Sequence, residues 1–329
     1  MVIHNQVKNN YRQGGKVLLE EHKTTMTTNT DLEVSKIIQS LSGGEGSDHF
    51  SPSQLALPIP KWIINYFACT QAMRRQSVAS YKMHFGNLTN NTAQRLVSKY
   101  IFMGDKRLEI QNRNLDEVFK DELAEIDKQE TRDEKDKWSR EAMIELAKPC
   151  IQKTLEALKE IFKDDELQSE RYVHDTPEGL YLDILGRVDY ESNKAFAEMK
   201  SKPPYVRQTR NGFSMFTQKV PLEPDDNHIA QVAFYYAATK KKPYLFYVSD
   251  KEYIIFDSSH EKLRPEYLEY AYEQLVKKAF TIQRLLLLSE GKAEEMAKYV
   301  EPPDFNHPYY YKDLTEEQKQ IIKNLWGII

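Results

Sequence analysis

The sequence predicts an α/β (α+β) fold in which a mixed central β-sheet is flanked by helices. Three observations support this prediction: strand-like and helical segments alternate in the second half of the chain, amphipathic helices precede them, and the composition suits a globular core, with 40% hydrophobic and 29% charged residues. The predicted elements, in the order strand, strand, helix, strand, strand, helix, are 179–189, 195–200, 228–239, 243–249, 253–257 and 265–289.

The strands and the helix between them are predicted from local pattern. Residues 179–189 and 195–200 alternate or stay apolar without a helical period, and a Pro-Pro pair soon after the second run forbids its continuation. The segment 228–239 is apolar over most of a helical length and follows a good capping residue, Asp226 or Asn227. A strand pair followed by a helix is therefore expected at the centre of the fold.

The segments around these elements complete the predicted organisation. Residues 1–50 are polar and include a Gly-rich run, so we expect a flexible N-terminal arm with at most one short helix. Residues 51–170 are predicted to be a helical region, because apolar residues recur every three or four positions, for example over 89–103. The sheet-containing core is expected at 171–290, and a C-terminal extension at 291–329 has no chemistry that its residues indicate.

Composition excludes several classes of protein. A net charge of −4 rules out a polycation that holds nucleic acid by bulk charge alone, so any such binding needs a local basic groove. Two cysteines, Cys69 and Cys150, are too few for an iron-sulfur cluster or a disulfide scaffold. No apolar run approaches the length of a membrane span. The sequence thus predicts no membrane role and a reducing, cytoplasmic location.

The candidate chemistry lies on the two central strands. Period-two geometry places Glu198 and Lys200 on the same face of one strand, and a short turn after Glu191 would bring Asp189 alongside Glu198. Two carboxylates beside an ammonium suit Mg²⁺ or Mn²⁺, with Lys200 positioning or activating the attacking water. The alternative is a partly buried salt-bridge cluster at a sheet edge.

The central helix adds a second feature. Apart from tyrosine hydroxyls, Gln231 is the only polar side chain between Ile229 and Ala238, so we expect a buried amide that needs partners. Tyr235 lies one turn later on the same face. The two side chains are predicted to approach the same bound phosphate or metal-site carboxylate, whereas the alternative for Gln231 is a satisfied core amide.

Three short motifs on strand, strand and helix carry a resemblance to a known family. They are Gly186-x-x-Asp189, Glu198-x-Lys200 and Gln231-x-x-x-Tyr235. In this order, over about residues 170 to 260, they look like the core motifs of RecB-like exonucleases in the PD-(D/E)XK nuclease superfamily. The resemblance implies a restriction-endonuclease-like core with an N-terminal helical region and divalent-metal-dependent cleavage of DNA.

The resemblance also implies roles for individual residues. The metal ligands would be the carboxylates of Asp189 and Glu198 and the backbone carbonyl of Met199, with Lys200 as the catalytic lysine. The helix glutamine and tyrosine would order the site or contact DNA. The expected cofactor is Mg²⁺ or Mn²⁺, without the iron-sulfur cluster that some relatives hold.

One motif departs from the family pattern. Relatives commonly carry Gly-x-x-x-His on an early helix, and here Gly86 is followed at that spacing by Asn90. An amide oxygen is a weaker metal ligand than imidazole, so Asn90 is a candidate contributor while His84 and Glu170 stay open as alternatives.

The function predicted from these motifs is a metal-dependent deoxyribonuclease. No base-reading motif is visible, which favours an exonuclease acting in DNA processing, replication or recombination over a sequence-specific endonuclease. The alternative function is a non-catalytic nucleic-acid-binding or assembly protein that retains the nuclease fold. DNA is the expected partner in both.

Overall fold

A computed structural model gives the fold of the chain. It describes residues 36–38, 49–68, 79–111, 113–210, 212–311 and 314–328. The predicted fold class is confirmed, because a seven-stranded mixed sheet is flanked by helices. Most of the expected N-terminal arm, 1–50, and its Gly-rich run lie outside the described residues.

The elements are numbered in chain order. The strands are β1 His49–Phe50, β2 Ser98–Met103, β3 Lys106–Glu109, β4 Leu167–Ser169, β5 Arg171–Asp175, β6 Asp183–Val188, β7 Tyr190–Glu191, β8 Ala195–Ser201, β9 Tyr205–Thr209, β10 Gly212–Phe216, β11 Lys242–Val248 and β12 Tyr253–Phe256. The helices are α1 Pro52–Ala56, α2 Ile59–Ile63 with a π-helical turn Ile64–Ala68, α3 Tyr81–Val97, α4 Leu115–Asp127, α5 Glu134–Phe162, α6 Asp226–Thr239, α7 Pro265–Ser289, α8 Ala293–Tyr299, α9 Pro308–Tyr311 and α10 Glu316–Leu325. Strand β8 and the helices α6 and α7 lie close to their predicted positions. The predicted strand 179–189 is wrong in part: β6 covers only 183–188 and pairs with β1, the chain bends at Asp189, and the two residues of β7 form the pair with β8.

The chain divides into two compact units. One comprises Met1–Gln76, His174–Gly186 and Tyr270–Ile329, and the other comprises Ser77–Val173 and Arg187–Glu269. The second unit holds the whole seven-stranded sheet and every candidate site residue. Each unit thus combines segments that are distant along the sequence.

The seven-stranded sheet has the order β12-β11-β8-β7-β4-β2-β3. Strand β8 pairs parallel with β11 and antiparallel with β7, which is the middle strand of the seven, and β2 pairs parallel with β4. Three of these strands, β2 to β4, lie in the range 51–170 that we expected to be helical. The predicted helix over 89–103 is wrong in its second part, because the β-favouring residues Tyr100, Ile101 and Phe102 pair with β3.

The core of this unit lies between the sheet and the helices α3 and α5. Buried side chains from the helices pack against buried positions of β7, β8 and β11. The largest buried members of this cluster include Phe85, Leu88, Met143, Tyr190 and Phe246. Burial of this apolar face stabilises the strand pair that carries the candidate site.

The other unit is described separately. Its strand β1 pairs parallel with the start of β6, where Phe50 opposes Ile184. Helix α1 begins with a capping box in which Ser51 and Gln54 satisfy each other's backbone N–H groups. Nowhere in the described part of the chain is a helix both long enough and apolar enough to cross a membrane.

Candidate active site

The turn between β7 and β8 brings two carboxylates together. The antiparallel register pairs Tyr190 with Ala197, and Asp189, in the bend just before β7, lies one position beyond this pair, next to Glu198. The Oδ2 atom of Asp189 accepts a hydrogen bond of 2.9 Å from the backbone N–H of Met199. The convergence of Asp189 and Glu198 that the sequence predicts is therefore present in the fold.

Lys200 completes this group. Its Nζ atom lies 2.7 Å from Oε1 of Glu198, as expected for side chains on the same face of one strand. The other carboxylate oxygen of Glu198, Oε2, is buried and has no hydrogen-bond partner among the described residues. A buried carboxylate oxygen without a donor is costly, so this atom is available to a ligand that carries positive charge.

The electrostatics of the group reflect two acids in a desolvated place. Burial, and then the charge of Asp189, raise the pKa of Glu198 to about 8. Burial also raises the pKa of Asp189. Although burial alone would lower the pKa of Lys200, the neighbouring Glu198 and Asp189 carboxylates leave it above its ordinary value. Lys200 is therefore a protonated ammonium, and it lies beside two acids whose raised pKa values oppose the ionisation of both at once.

A third acid lies next to this group. Gln94 on α3 donates a hydrogen bond of 2.5 Å to Oε1 of Glu170, and Nε of Arg187 lies 2.6 Å from Oε2. Burial raises the pKa of Glu170 to about 7, against the opposing effect of Arg187 and with a further contribution from Asp189. The backbone of Glu170 has φ of 63°, a left-handed conformation that costs a residue with a Cβ on the order of 1 kcal/mol. The fold therefore holds this carboxylate in place against local strain.

Asp189, Glu198 and Lys200 open onto a cleft of about 450 Å³. A Cβ atom on Gly86 would lie only 3.3 Å from Oγ of Ser201, so the absence of a side chain at Gly86 permits the close approach of α3 to the end of β8. The cleft is lined by Lys82, Gly86, Asn87, Asn90, Asp189, Glu198, Met199, Lys200, Ser201, Lys202, Pro203, Gln218 and His228. Acidic and basic side chains thus share a space large enough for a small ligand or a segment of a polymer.

The early helix supplies Asn90 to this cleft. Its Oδ1 atom accepts a hydrogen bond of 2.8 Å from the hydroxyl of Tyr190, which leaves the amide NH₂ as the group free to donate. Of the two alternatives to Asn90, His84 is buried with Nε2 at 3.3 Å from Nη2 of Arg140 and does not line the cleft. Glu170 is the alternative that lies near Asp189.

The helix residues Gln231 and Tyr235 are placed differently from each other. The buried Tyr235 donates a hydrogen bond of 2.8 Å to the backbone carbonyl of Arg187, two residues before Asp189. Gln231 is only partly buried, does not line the cleft and makes no side-chain hydrogen bond to the described part of the chain. Gln231 is therefore less buried than expected, although Tyr235, one turn later on the same face of α6, is buried.

The cleft also contains a histidine that the sequence motifs do not indicate. The hydroxyl of Tyr247 accepts a hydrogen bond of 2.9 Å from the backbone N–H of Asp225 and lies 2.8 Å from Nδ1 of His228. Burial, followed by the charge of Lys200, lowers the pKa of His228 to about 4. The imidazole is therefore neutral. We assign the ring hydrogen to Nε2, the tautomer in which Nδ1 accepts a hydrogen bond from the Tyr247 hydroxyl.

The donor set fits a hard divalent cation in part. Asp189 and Glu198 supply carboxylates, and the unsatisfied Oε2 atom of Glu198 is the kind of ligand that Mg²⁺ or Mn²⁺ prefers. In the described ranges no three His, Cys, Asp or Glu side chains are gathered closely enough to hold a metal ion. A metal here would therefore need the Met199 carbonyl, water or substrate oxygens as further ligands.

Comparison with protein-family models, with curated proteins and with solved structures gave no match. The site therefore has to be interpreted from its own geometry.

Proposed function

We propose that this protein is a divalent-metal-dependent deoxyribonuclease that hydrolyses phosphodiester bonds. The observation that supports the proposal best is the convergence of Asp189, Glu198 and Lys200 in one cleft, with a buried oxygen of Glu198 that has no hydrogen-bond partner among the described residues. A structural salt bridge is more stable when both carboxylate oxygens have partners, because burial without a partner is unfavourable, so the unpartnered oxygen favours a site that binds a ligand.

The proposed cofactor is Mg²⁺ or Mn²⁺, held by the carboxylates of Asp189 and Glu198 and by the carbonyl of Met199. When bound, such an ion neutralises the paired carboxylates and polarises a phosphate oxygen. The ammonium of Lys200 would then be released from Glu198 to orient a water molecule and the phosphate that it attacks. Tyr235 holds the end of β6, directly before Asp189, and His228, which lines the cleft, would donate a hydrogen bond from Nε2 to a phosphate oxygen.

DNA is the proposed substrate and an exonuclease the preferred activity. Lys82 and Lys202 line the cleft beside Lys200, so a polyanion that enters it would meet three basic side chains. The proposal includes a role in DNA processing, replication or recombination and a cytoplasmic location, which suits the free thiol of Cys150.

The test is a cleavage assay on linear and circular DNA with Mg²⁺, Mn²⁺ or EDTA. We expect the parent to degrade linear DNA only with metal, and Lys200→Met to lose about two or more orders of magnitude in rate. The matched control is Lys292→Met, because Lys292 belongs to a second Glu-x-Lys tripeptide and lies 2.7 Å from Glu290 on an exposed surface. An equal loss of rate in both variants would contradict the assignment.

A parent protein that binds DNA but cleaves none of the substrates with either metal would support the other function, a non-catalytic nucleic-acid-binding or assembly protein. In that case Lys200→Met and Lys292→Met would both show no cleavage, and any difference between them would be in their affinity for DNA.

A further inference from the structure

The hairpin β9–β10 has two faces of different character. Its register pairs Tyr205 with Phe216, Val206 with Met215 and Arg207 with Ser214. Because successive side chains of a strand point to opposite faces, Tyr205, Arg207 and Phe216 share one face. The other face carries Val206 and Met215.

The inner face anchors the hairpin to the core. Val206 and Met215 pack against the buried cluster between α3, α5 and the sheet, and the ring of Phe213 lies 5.7 Å from that of Trp138 on α5. The apolar residues of this face are therefore explained by packing.

The outer face carries aromatic rings that packing does not explain. The rings of Tyr205 and Phe216 are stacked with centroids 5.4 Å apart, and Phe216 is 40% exposed. The guanidinium of Arg207 lies 5.0 Å from the Tyr205 ring centroid and 5.8 Å from that of Phe216. An arginine and two rings on a solvent-facing side form an aromatic and basic patch that favours a partner with both aromatic and anionic groups.

Charge and position point to the same partner. Between positions 202 and 222 the sequence has Lys202, Arg207, Arg210 and Lys219 but no acidic residue. Both ends of the hairpin lead from the cleft wall, because Pro203 lies just before β9 and Gln218 just after β10, and both line the cleft. The hairpin therefore adjoins the cleft, and its outer face is a surface onto which a chain of nucleotides bound in the cleft could extend.

We propose that the outer face of β9–β10, formed by Tyr205, Arg207 and Phe216, binds single-stranded DNA next to the cleft. Unpaired bases stack on the rings, and Arg207 with the exposed Arg210 contacts phosphates. Duplex DNA is disfavoured on this face, because its bases are already stacked on one another. The inference rests on the proposed function and specifies its substrate as a strand with an unpaired end.

Binding is measured without catalysis, by fluorescence anisotropy in EDTA with a labelled oligothymidine of about 20 nucleotides. We expect Phe216→Ala and Tyr205→Ala each to weaken binding about fivefold or more, and Phe216→Trp to retain it, since tryptophan keeps a stacking surface. The control is Tyr100→Ala on the β2–β3 hairpin, where the Arg107 guanidinium lies 3.4 Å from the ring centroid. That variant removes a similar Tyr–Arg contact near the far edge of the sheet, so it should bind as the parent does.

The outcomes separate this inference from the proposed function. Thermal melting of each variant identifies loss of fold, and Phe216→Trp provides a second test if the alanine variants unfold. Parent-like affinity of Phe216→Ala and Tyr205→Ala, equal binding of blunt duplex by the parent, or no binding of oligothymidine at all would overturn the inference. If the parent cleaves DNA while these variants bind normally, only the hairpin assignment fails. If the variants lose binding while the parent cleaves nothing, the hairpin assignment stands and the nuclease proposal fails.

Discussion

Two carboxylates two residues apart should respond oppositely to removal of their charge. Glu191 is fully buried and paired with Arg171 and with Lys241, whose Nζ lies 2.7 Å from Oε1. Burial alone would raise the pKa of Glu191, but hydrogen bonds from Arg171 and Lys241 leave this pKa below its ordinary value. Asp189 has a raised pKa and faces a second acid, Glu198. We therefore predict that Glu191→Gln destabilises the metal-free protein and that Asp189→Asn stabilises it.

The magnitudes follow from burial and pairing. Removing one partner of a buried ion pair costs about 3–5 kcal/mol, and we expect about 2–3 kcal/mol for Glu191→Gln because Arg171 and Lys241 keep some contact with water. A rise in the pKa of Glu198 from 4.5 to about 8 corresponds to about 5 kcal/mol of unfavourable ionisation. Burial is the larger cause and persists in Asp189→Asn. Relief of the Asp189 charge should therefore add about 1–2 kcal/mol to the free energy of unfolding.

The stabilisation should depend on pH in a defined direction. With a folded pKa of about 8 and an ordinary value of 4.5, Glu198 keeps its proton in the folded state over a range where the unfolded chain has lost it. The parent therefore loses stability as pH rises from about 4.5 to 8. The gain from Asp189→Asn should be small near pH 5 and largest above pH 8, where both acids of the parent would be ionised.

Urea unfolding in EDTA at pH 5.5 and 8.5 measures these differences, and Mn²⁺ added at neutral pH measures stabilisation by a ligand. We expect Mn²⁺ to stabilise the parent and Glu191→Gln but not Asp189→Asn. A loss of about 3 kcal/mol or more in Asp189→Asn at pH 8.5, together with Mn²⁺ stabilisation equal to that of the parent, would refute the reasoning and favour a structural salt bridge.

Three further predictions concern side chains around the site. Tyr235→Phe removes the donor to the Arg187 carbonyl, so we expect a loss of about 1–2 kcal/mol in urea unfolding and a weaker apparent Mn²⁺ affinity in cleavage assays; an unchanged affinity would make Tyr235 purely structural. His228→Gln keeps an N–H donor and should cleave within about tenfold of the parent, while His228→Ala should lose more. Because the pKa of His228 is about 4, the cleavage rate of the parent should show no titration of this residue from pH 5 to 8. Equal rates in the two variants would remove His228 from the site. Burial raises the pKa of Cys150 to about 12, so its thiol is not a reactive thiolate and Cys150→Ala should leave the cleavage rate unchanged. Because the side chain is fully buried, we expect the variant to lose about 1 kcal/mol of stability. Loss of cleavage in a folded variant would contradict this prediction.

The sequence by itself determined the centre of the candidate site. Glu198 and Lys200 must share a face because a strand repeats every two residues, and the short loop after Glu191 leaves an antiparallel turn as the simple connection. These are local constraints, since they act over about ten residues and need no distant partner. The predicted position of α6 is local in the same way, since it rests on an apolar run of helical length that follows a capping residue.

Only the tertiary structure decided which other residues join this centre. Glu170 and Gln94 are distant from Asp189 in the sequence, and they meet it because β4 pairs with β7 and α3 packs on the sheet. His228 belongs to no motif, and it is held in the cleft by a contact of 2.8 Å between its Nδ1 atom and the hydroxyl of Tyr247, a residue of β11. Contacts of this kind depend on long-range pairing, which local periodicity does not encode.

The same reason explains the wrong and missing elements. Strands such as β2 and β9 satisfy their backbone hydrogen bonds with partner strands, so a segment with mixed polarity, like 98–103, resembles a helix until its partner is known. Gln231 is only partly buried while Tyr235, on the same face of α6, is buried, so side-chain spacing does not specify how deeply each residue of a face is covered. Local periodicity determines which side chains share a face, and tertiary packing decides what that face meets.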